Sequence, residues 1–231
     1  MSYMESLGTT TDRSPVDLRT RYLDLVRDSL IGVLNDDPEI AQRADQAILG
    51  FDPERRALGK DWPSRAFSMI GAQRMLQLQR AAEFVIEKGI PGDFIETGVW
   101  RGGACILMRA VLEAWGEPGR RVFVADSFQG LPPPDAARYP KDAGSELNLF
   151  PQLAVSADEV RENFRRYGLL DDRVVFLEGW FRDTLPAAPI ERLALLRLDG
   201  DLYESTMDAL TALYDKVVPG GIVIVDDYGI L

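Results

Sequence analysis

The sequence contains no histidine and only one cysteine, and both absences narrow the chemistry that the chain can perform. Without histidine, neither a Ser-His nor a Cys-His nucleophile system is possible, so any general base must be a carboxylate, Lys, Tyr or water. Cys105 alone can form neither an intrachain disulfide nor a thiolate cluster for zinc. A bound metal would therefore have only oxygen ligands, which suits Mg²⁺, Ca²⁺ or Mn²⁺.

Basic residues and long apolar runs are also scarce. The chain has 37 acidic residues against 26 basic ones, a formal net charge of −11, so we expect neither nucleic acid nor membrane partners. Apolar stretches such as residues 222–225 are only as long as a strand, and the N-terminus has no apolar signal core. We therefore expect a cytoplasmic protein.

What is present favours one α/β unit. Apolar residues at helical spacing predict amphipathic helices over residues 17–34 and 64–88. Beyond residue 90, short apolar runs alternate with helical patterns, which is typical of a mostly parallel sheet. The predicted strands are 94–95, 121–125, 174–177, 193–198 and 222–225, and the predicted helices between them are 102–115, 156–167 and 203–217.

We predict a Rossmann-like sheet with helices on both faces and an N-terminal helical appendage. Residues 1–90 form the appendage or lid in this interpretation, and residues 91–231 form the ligand-binding domain. We expect a homo-oligomer that assembles through the N-terminal helices. Since such a sheet normally continues beyond its fifth strand, we also expect that a C-terminal edge is missing from this sequence.

A glycine-rich turn at residues 96–103 (ETGVWRGG) lies between the first predicted strand and the next helix. Ligands bind at this crossover in doubly wound sheets, where glycine lets them approach the backbone. The spacing differs from G-x-G-x-x-G, which disfavours a nicotinamide dinucleotide, whereas a nucleoside such as S-adenosylmethionine (SAM) suits the acidic strand end. A plain strand-to-helix turn is the alternative.

Two further strand ends carry polar or aromatic residues. Asp126 follows the second strand, where a carboxylate can accept both ribose hydroxyls, although a solvated strand end is the alternative. The sequence Glu178-Gly179-Trp180-Phe181 follows the third strand, and its aromatic pair could flank an adenine ring or belong to the core.

Carboxylates at the ends of the fourth and fifth strands are the strongest signal. Asp199 and Asp201 end one strand, and Asp226 and Asp227 end the other. Adjacent parallel strands lie about 5 Å apart, so four carboxylates converge on one cleft and favour a divalent cation. Helix caps and solvated strand ends are the alternative. Because Asp199 and Asp201 are two residues apart, we expect them to face opposite sides of the strand and to have different roles.

Five motifs and two upstream segments carry a resemblance to a known family. Their order and spacing resemble those of the macrocin O-methyltransferase family over roughly residues 55–231. The matching segments are 95–103, 124–130, 167–172, 198–203 and 219–228, with 61–63 and 68–71 upstream.

That family methylates sugar hydroxyls on natural products of the macrolide, aminocoumarin or enediyne type. The resemblance implies a class I methyltransferase fold, SAM as the methyl donor and a glycosylated small molecule as the acceptor. It implies Mg²⁺ at Asp199, Asp226 and Asp227, with Asp201 as the candidate base and Asp199 as the alternative. The implied SAM contacts are Met69, Glu96, Thr97, Gly98, Val99, Trp100, Asp126, Ser127, Ser156, Gly179 and Trp180.

Some features depart from the family pattern. Phe67 stands where histidine is common, and the predicted loop at residues 128–155 matches poorly from residue 131 onward, so we expect it to determine acceptor choice. Two other functions remain open from the residues alone. One is a nicotinamide-dependent oxidoreductase, and the other is a SAM-binding protein without catalysis.

Overall fold

A computed structural model describes residues 17–41 and 50–228 of the chain. Five strands and seven α-helices occur in these residues. The strands are β1 Asp93–Thr97, β2 Val122–Asp126, β3 Val174–Glu178, β4 Leu193–Leu198 and β5 Val217–Val225. The helices are α1 Leu18–Leu30, α2 Pro53–Leu58, α3 Gly71–Glu87, α4 Gly103–Ala114, α5 Ala157–Arg166, α6 Phe181–Thr184 and α7 Tyr203–Leu213.

The strands form one sheet in the order β3-β2-β1-β4-β5, and all pairs are parallel. Neighbouring residues of a strand point to opposite faces. Phe94 and Val122 thus pack with α1, α3 and α4, whereas Ile95 and Phe123 pack with α7 on the other face. Apolar burial on both faces explains why these strands are nearly continuous apolar runs. The Rossmann-like α/β prediction is confirmed.

The N-terminal helices share the core of the sheet. Leu23 of α1 and Met75 of α3 are fully buried in the same cluster as Phe94. Helix α1 also packs against α4, and α3 against β4 and β5. The division of the chain near residue 90 and assembly through these helices stay predictions.

The second long helix begins later than predicted, at Gly71 instead of Ser64. The preceding backbone amides bond elsewhere: Phe67 and Ser68 both donate to the carbonyl of Leu30, at 2.9 and 3.0 Å. Their N–H groups thus hold this segment against α1 as an irregular strap. Helical periodicity could not reveal these long-range partners.

Other elements also differ from the prediction, including α7, which ends at Leu213 instead of residue 217. Helix α2 was missed, although Asp52 caps its first turn and Gly59 ends it. Helix α1 ends at Leu30 because Gly32 adopts a φ of 72°. At the other end of the chain, residues 219–221 lie within β5 instead of forming a turn before it, and the pairing register shifts there.

The long segment at residues 128–155 contains three short 3₁₀ turns and no α-helix. Within the part of the chain that the structure describes, no helix is both long and apolar enough to cross a membrane.

Candidate active site

A cavity of about 260 Å³ opens at the carboxyl ends of the strands. Strand β1 has β2 on one side and β4 on the other, so connections diverge here and leave a crevice, which is the usual ligand position in open α/β sheets. The turns after β1, β2, β4 and β5, the strap before α3 and part of segment 128–155 line the cavity.

The turn between β1 and α4 contacts the turn after β4 directly. Gly98 has a φ of 88°, and a Cβ at this position would lie 1.9 Å from the carbonyl oxygen of Asp199. Only glycine fits this contact without displacing the backbone. Glycine at position 98 is thus required for the turns after β1 and β4 to meet.

Asp126 at the end of β2 organises the backbone around the cavity. Its Oδ2 accepts the N–H of Val99 at 2.8 Å, and its Oδ1 accepts the N–H of Phe128 at 2.7 Å. Burial raises the pKa of Asp126, and these bonds oppose that shift. The Ser127 hydroxyl also donates to Oδ1, at 3.4 Å, and the ribose-binding role of Asp126 stays a prediction.

Most of the SAM contacts implied by the resemblance line the cavity, and three do not. Those that line it are Met69, Glu96, Gly98, Val99, Trp100, Asp126, Ser127 and Trp180. Thr97, Ser156 and Gly179 are not in the lining. Ser156 is exposed and caps α5, where its hydroxyl accepts the N–H of Glu159 at 3.2 Å, as the capping-box pattern predicts.

The carboxylates of Asp199, Asp226 and Asp227 converge as the sequence predicted. One oxygen from each lies within 4.8 Å of the others. Burial raises the pKa of Asp199 well above its usual range; Arg197 opposes this shift, and Asp226 and Asp227 add to it. This set of three oxygens is the kind of site that a hard divalent cation prefers.

Arg197 on β4 is the positive centre of this cluster, and the sequence analysis missed it. Its guanidinium pairs with Glu96, with Asp199 at 2.7 Å and with Asp226, while Arg74 from α3 pairs with the other oxygen of Asp226. Arg197 is only 1% exposed, and a buried charge needs such partners. An arginine inside the apolar run at residues 193–198 was the available signal.

Asp199 and Asp201 do not lie on one strand as expected, because β4 ends at Leu198 and the chain turns before α7. Asp201 has a φ of 59°, and both carboxylates line the cavity. The N–H of Asp201 donates to Asp227 at 3.1 Å. Burial, followed by the charge of Asp227, raises the pKa of Asp201 to about 7.

The donor set fits Mg²⁺. Every group that could ligate it is a carboxylate oxygen. The carboxylates outnumber the two guanidinium groups of Arg74 and Arg197, since Glu96 and Asp201 adjoin the three that converge. The arginines thus neutralise only part of the negative charge. Both oxygens of Asp226 already accept hydrogen bonds from arginine, whereas Asp227 accepts the backbone bond from Asp201, which leaves Asp227 the more open ligand.

Comparison with known proteins adds an independent finding. A family model described as Macrocin-O-methyltransferase (TylF) matches residues 16–231. The chain is 52% identical over 215 residues to 8-demethyl-8-(2,3-dimethoxy-alpha-L-rhamnosyl)-tetracenomycin-C 4'-O-methyltransferase of Streptomyces olivaceus, covering 93% of this chain and 82% of that protein.

Two further relatives agree with this match. The chain is 52% identical over 208 residues to demethyldecarbamoylnovobiocin O-methyltransferase of Streptomyces niveus, covering 90% of this chain and 79% of that protein. The solved structure of the O-methyltransferase NovP is 51% identical and superposes with a TM-score of 0.85, covering 90% of this chain and 84% of that chain.

Proposed function

Because the chain belongs to the macrocin O-methyltransferase family, we propose that it transfers a methyl group from SAM to a sugar hydroxyl of a glycosylated natural product, assisted by Mg²⁺. The chain is an O-methyltransferase, given its identity to two proteins of that activity over most of its length. Their names contain a rhamnosyl-tetracenomycin and demethyldecarbamoylnovobiocin, which supports a glycosylated natural product as the acceptor. The oxidoreductase alternative and the non-catalytic alternative have no comparable support.

The main support for Mg²⁺ is that three carboxylates converge in the cavity and a fourth lies beside them. Asp199, Asp226 and Asp227 would hold the ion, and Asp201 lies next to them in the same cavity. A bound Mg²⁺ would supply Lewis-acid chemistry that orients the acceptor hydroxyl and lowers its pKa, and SAM would supply the methyl group.

The residues around the cavity have different roles in the reaction. Asp201 accepts the proton of the hydroxyl, whose oxygen forms the new bond to carbon as the sulfur–carbon bond of SAM breaks. Arg197 holds Asp199 and Asp226 in place, because its guanidinium bonds to both. The turn at Gly98 and the backbone held by Asp126 provide the surface for the nucleoside.

The direct test is methyl transfer to defined acceptors. The enzyme is incubated with SAM, Mg²⁺ and either 8-demethyl-8-(2,3-dimethoxy-alpha-L-rhamnosyl)-tetracenomycin C or demethyldecarbamoylnovobiocin, and products are examined for a mass gain of one methyl group. We expect turnover of at least one compound, with loss of activity in EDTA. SAM binding without methylation of either compound would argue against this acceptor class.

A variant tests the metal separately. Asp227→Asn should lower the rate by about 100-fold or more, because it removes a charged ligand, while SAM affinity measured by calorimetry changes less than about threefold. The control is Asp215→Asn, which removes the same charge from an exposed residue outside the cavity lining. A normal rate for Asp227→Asn in the presence of EDTA would refute the Mg²⁺ role.

A further inference from the structure

The segment at residues 128–155 supplies an apolar wall to the cavity. Leu131, Pro132, Leu147 and Leu153 line it, facing the same space as Asp201. The segment is long and mostly irregular, so its own backbone does little to define its position. Contacts to the rest of the chain must therefore determine where this wall lies.

Asp142 provides such a contact from the middle of the segment. It is 5% exposed, its Oδ1 accepts the N–H of Tyr203 at 2.7 Å and its Oδ2 accepts the N–H of Glu204 at 3.0 Å. These amides open α7, whose own N-cap residue, Leu202, makes no side-chain cap. A carboxylate suits this position, because the first N–H groups of a helix lack intrahelical partners and carry partial positive charge.

Other contacts hold the segment on either side of Asp142. The rings of Tyr139 and Tyr203 have centroids 6.1 Å apart. Nearer the end of the segment, the indole N–H of Trp100 donates to the carbonyl of Gln152 at 2.8 Å. Asp142 is thus a charged anchor between two contacts, each of which reaches an element of the cavity.

We propose that Asp142 is a positioning residue that fixes the apolar wall relative to Asp201. Helix α7 follows directly from the turn that bears Asp199 and Asp201, and Glu204 itself lines the cavity. One carboxylate therefore links the wall to the residues proposed to activate the acceptor. The role in acceptor binding rests on the proposed function, whereas the link between the segment and α7 does not.

The first test is hydrogen exchange on the whole protein without ligand. Asp142→Ala should raise amide exchange in residues 131–153 and at the start of α7 by about tenfold or more, because two bonds to a charged group are lost. Asp142→Asn keeps one acceptor oxygen, so its amide exchange rates should lie between those of Asp142→Ala and the wild type. Asp135→Ala removes the same charge from an exposed site. Its carboxylate accepts the backbone N–H of Arg138, within the segment, at 3.1 Å, so this variant should change exchange little.

The second test separates positioning from general stability. With whichever of the two acceptors the wild type methylates, Asp142→Ala should raise the KM of the acceptor about tenfold, while the Kd of S-adenosylhomocysteine changes less than twofold. Unchanged exchange in residues 131–153, or equal acceleration throughout β1 and α4, would overturn the proposal. If the wild type methylates neither acceptor, the proposed function fails, and the exchange result alone decides whether Asp142 anchors the segment.

Discussion

Asp201 illustrates how a single residue depends on its surroundings for its chemistry. A non-glycine residue with a φ of 59° is uncommon and costs on the order of 1 kcal/mol or more. Asp201 is kept there by the turn into α7 and by its bond to Asp227. The chain has no histidine, so a carboxylate in the cavity is the natural proton acceptor.

We predict that Asp201→Asn lowers kcat by about 10²–10⁴-fold, because the amide keeps the shape of the side chain and removes its basic oxygen. The affinities for Mg²⁺ and SAM should change less than about threefold. Steady-state kinetics with varied Mg²⁺ and calorimetry with SAM measure both quantities. If Asp201→Asn lost metal affinity, Asp201 would be a ligand and Asp199 the better candidate base; full activity would exclude Asp201 as the base.

Between elements, the cavity depends on two strand-to-helix turns that touch. The turn after β1 passes so close to the turn after β4 that a Cβ on Gly98 would overlap the backbone of Asp199. The same contact places the predicted nucleoside site beside the carboxylate cluster. Packing between turns, and not only the chemistry of each turn, thus brings the predicted cofactor and metal sites together.

We predict that Gly98→Ala lowers the free energy of unfolding by at least about 2 kcal/mol more than Gly89→Ala does. Both glycines have positive φ, 88° and 61°, but a Cβ on Gly89 would meet open space. The difference therefore isolates the contact with Asp199 from the cost of the backbone conformation. Urea unfolding of both variants measures this difference in the free energy of unfolding. Equal decreases in the two variants would mean that the two turns can move apart without cost.

Ion pairs connect helix α4 to the residues that precede β3. Arg109 of α4 bonds to Asp171, which lies before β3, at 2.6 Å, and Arg173 bonds to the same carboxylate at 3.0 Å. The Arg109 hydrogen bond leads in lowering the pKa of Asp171 to about 2, burial opposes the shift, and Arg173 reinforces it. A lowered folded-state pKa means that the stabilisation is present above the unfolded value near 3.8 and is lost as the pH falls toward 2.

We predict that Asp171→Asn lowers the free energy of unfolding at pH 7 by about 1–2 kcal/mol, a charged hydrogen-bond contribution reduced for partial exposure. The difference from the wild type should shrink at pH 3 and below. Urea unfolding at pH 7 and pH 3 measures this, with exposed Asp172→Asn as the control. A difference that is the same at both pH values would exclude the ion pairs as its source.

Much of this architecture follows from local pattern. Each of the five predicted strands overlaps an observed strand, because short apolar runs between helical patterns are short-range signals. The meeting of Asp199, Asp226 and Asp227 was also predictable, since parallel strands end at one edge of a sheet. Local sequence signals were therefore enough to predict the sheet and the meeting of these three carboxylates.

The side chains that hold those carboxylates come from distant parts of the chain, which the sequence did not indicate. Arg197 and Arg74 reach the cluster from β4 and α3, and Asp142 reaches α7 from a segment 61 residues away in the chain. The late start of α3 has the same origin, because the amides of Phe67 and Ser68 bond to α1. The pairing of a buried charge or amide depends on neighbours distant in sequence, and no local periodicity encodes them.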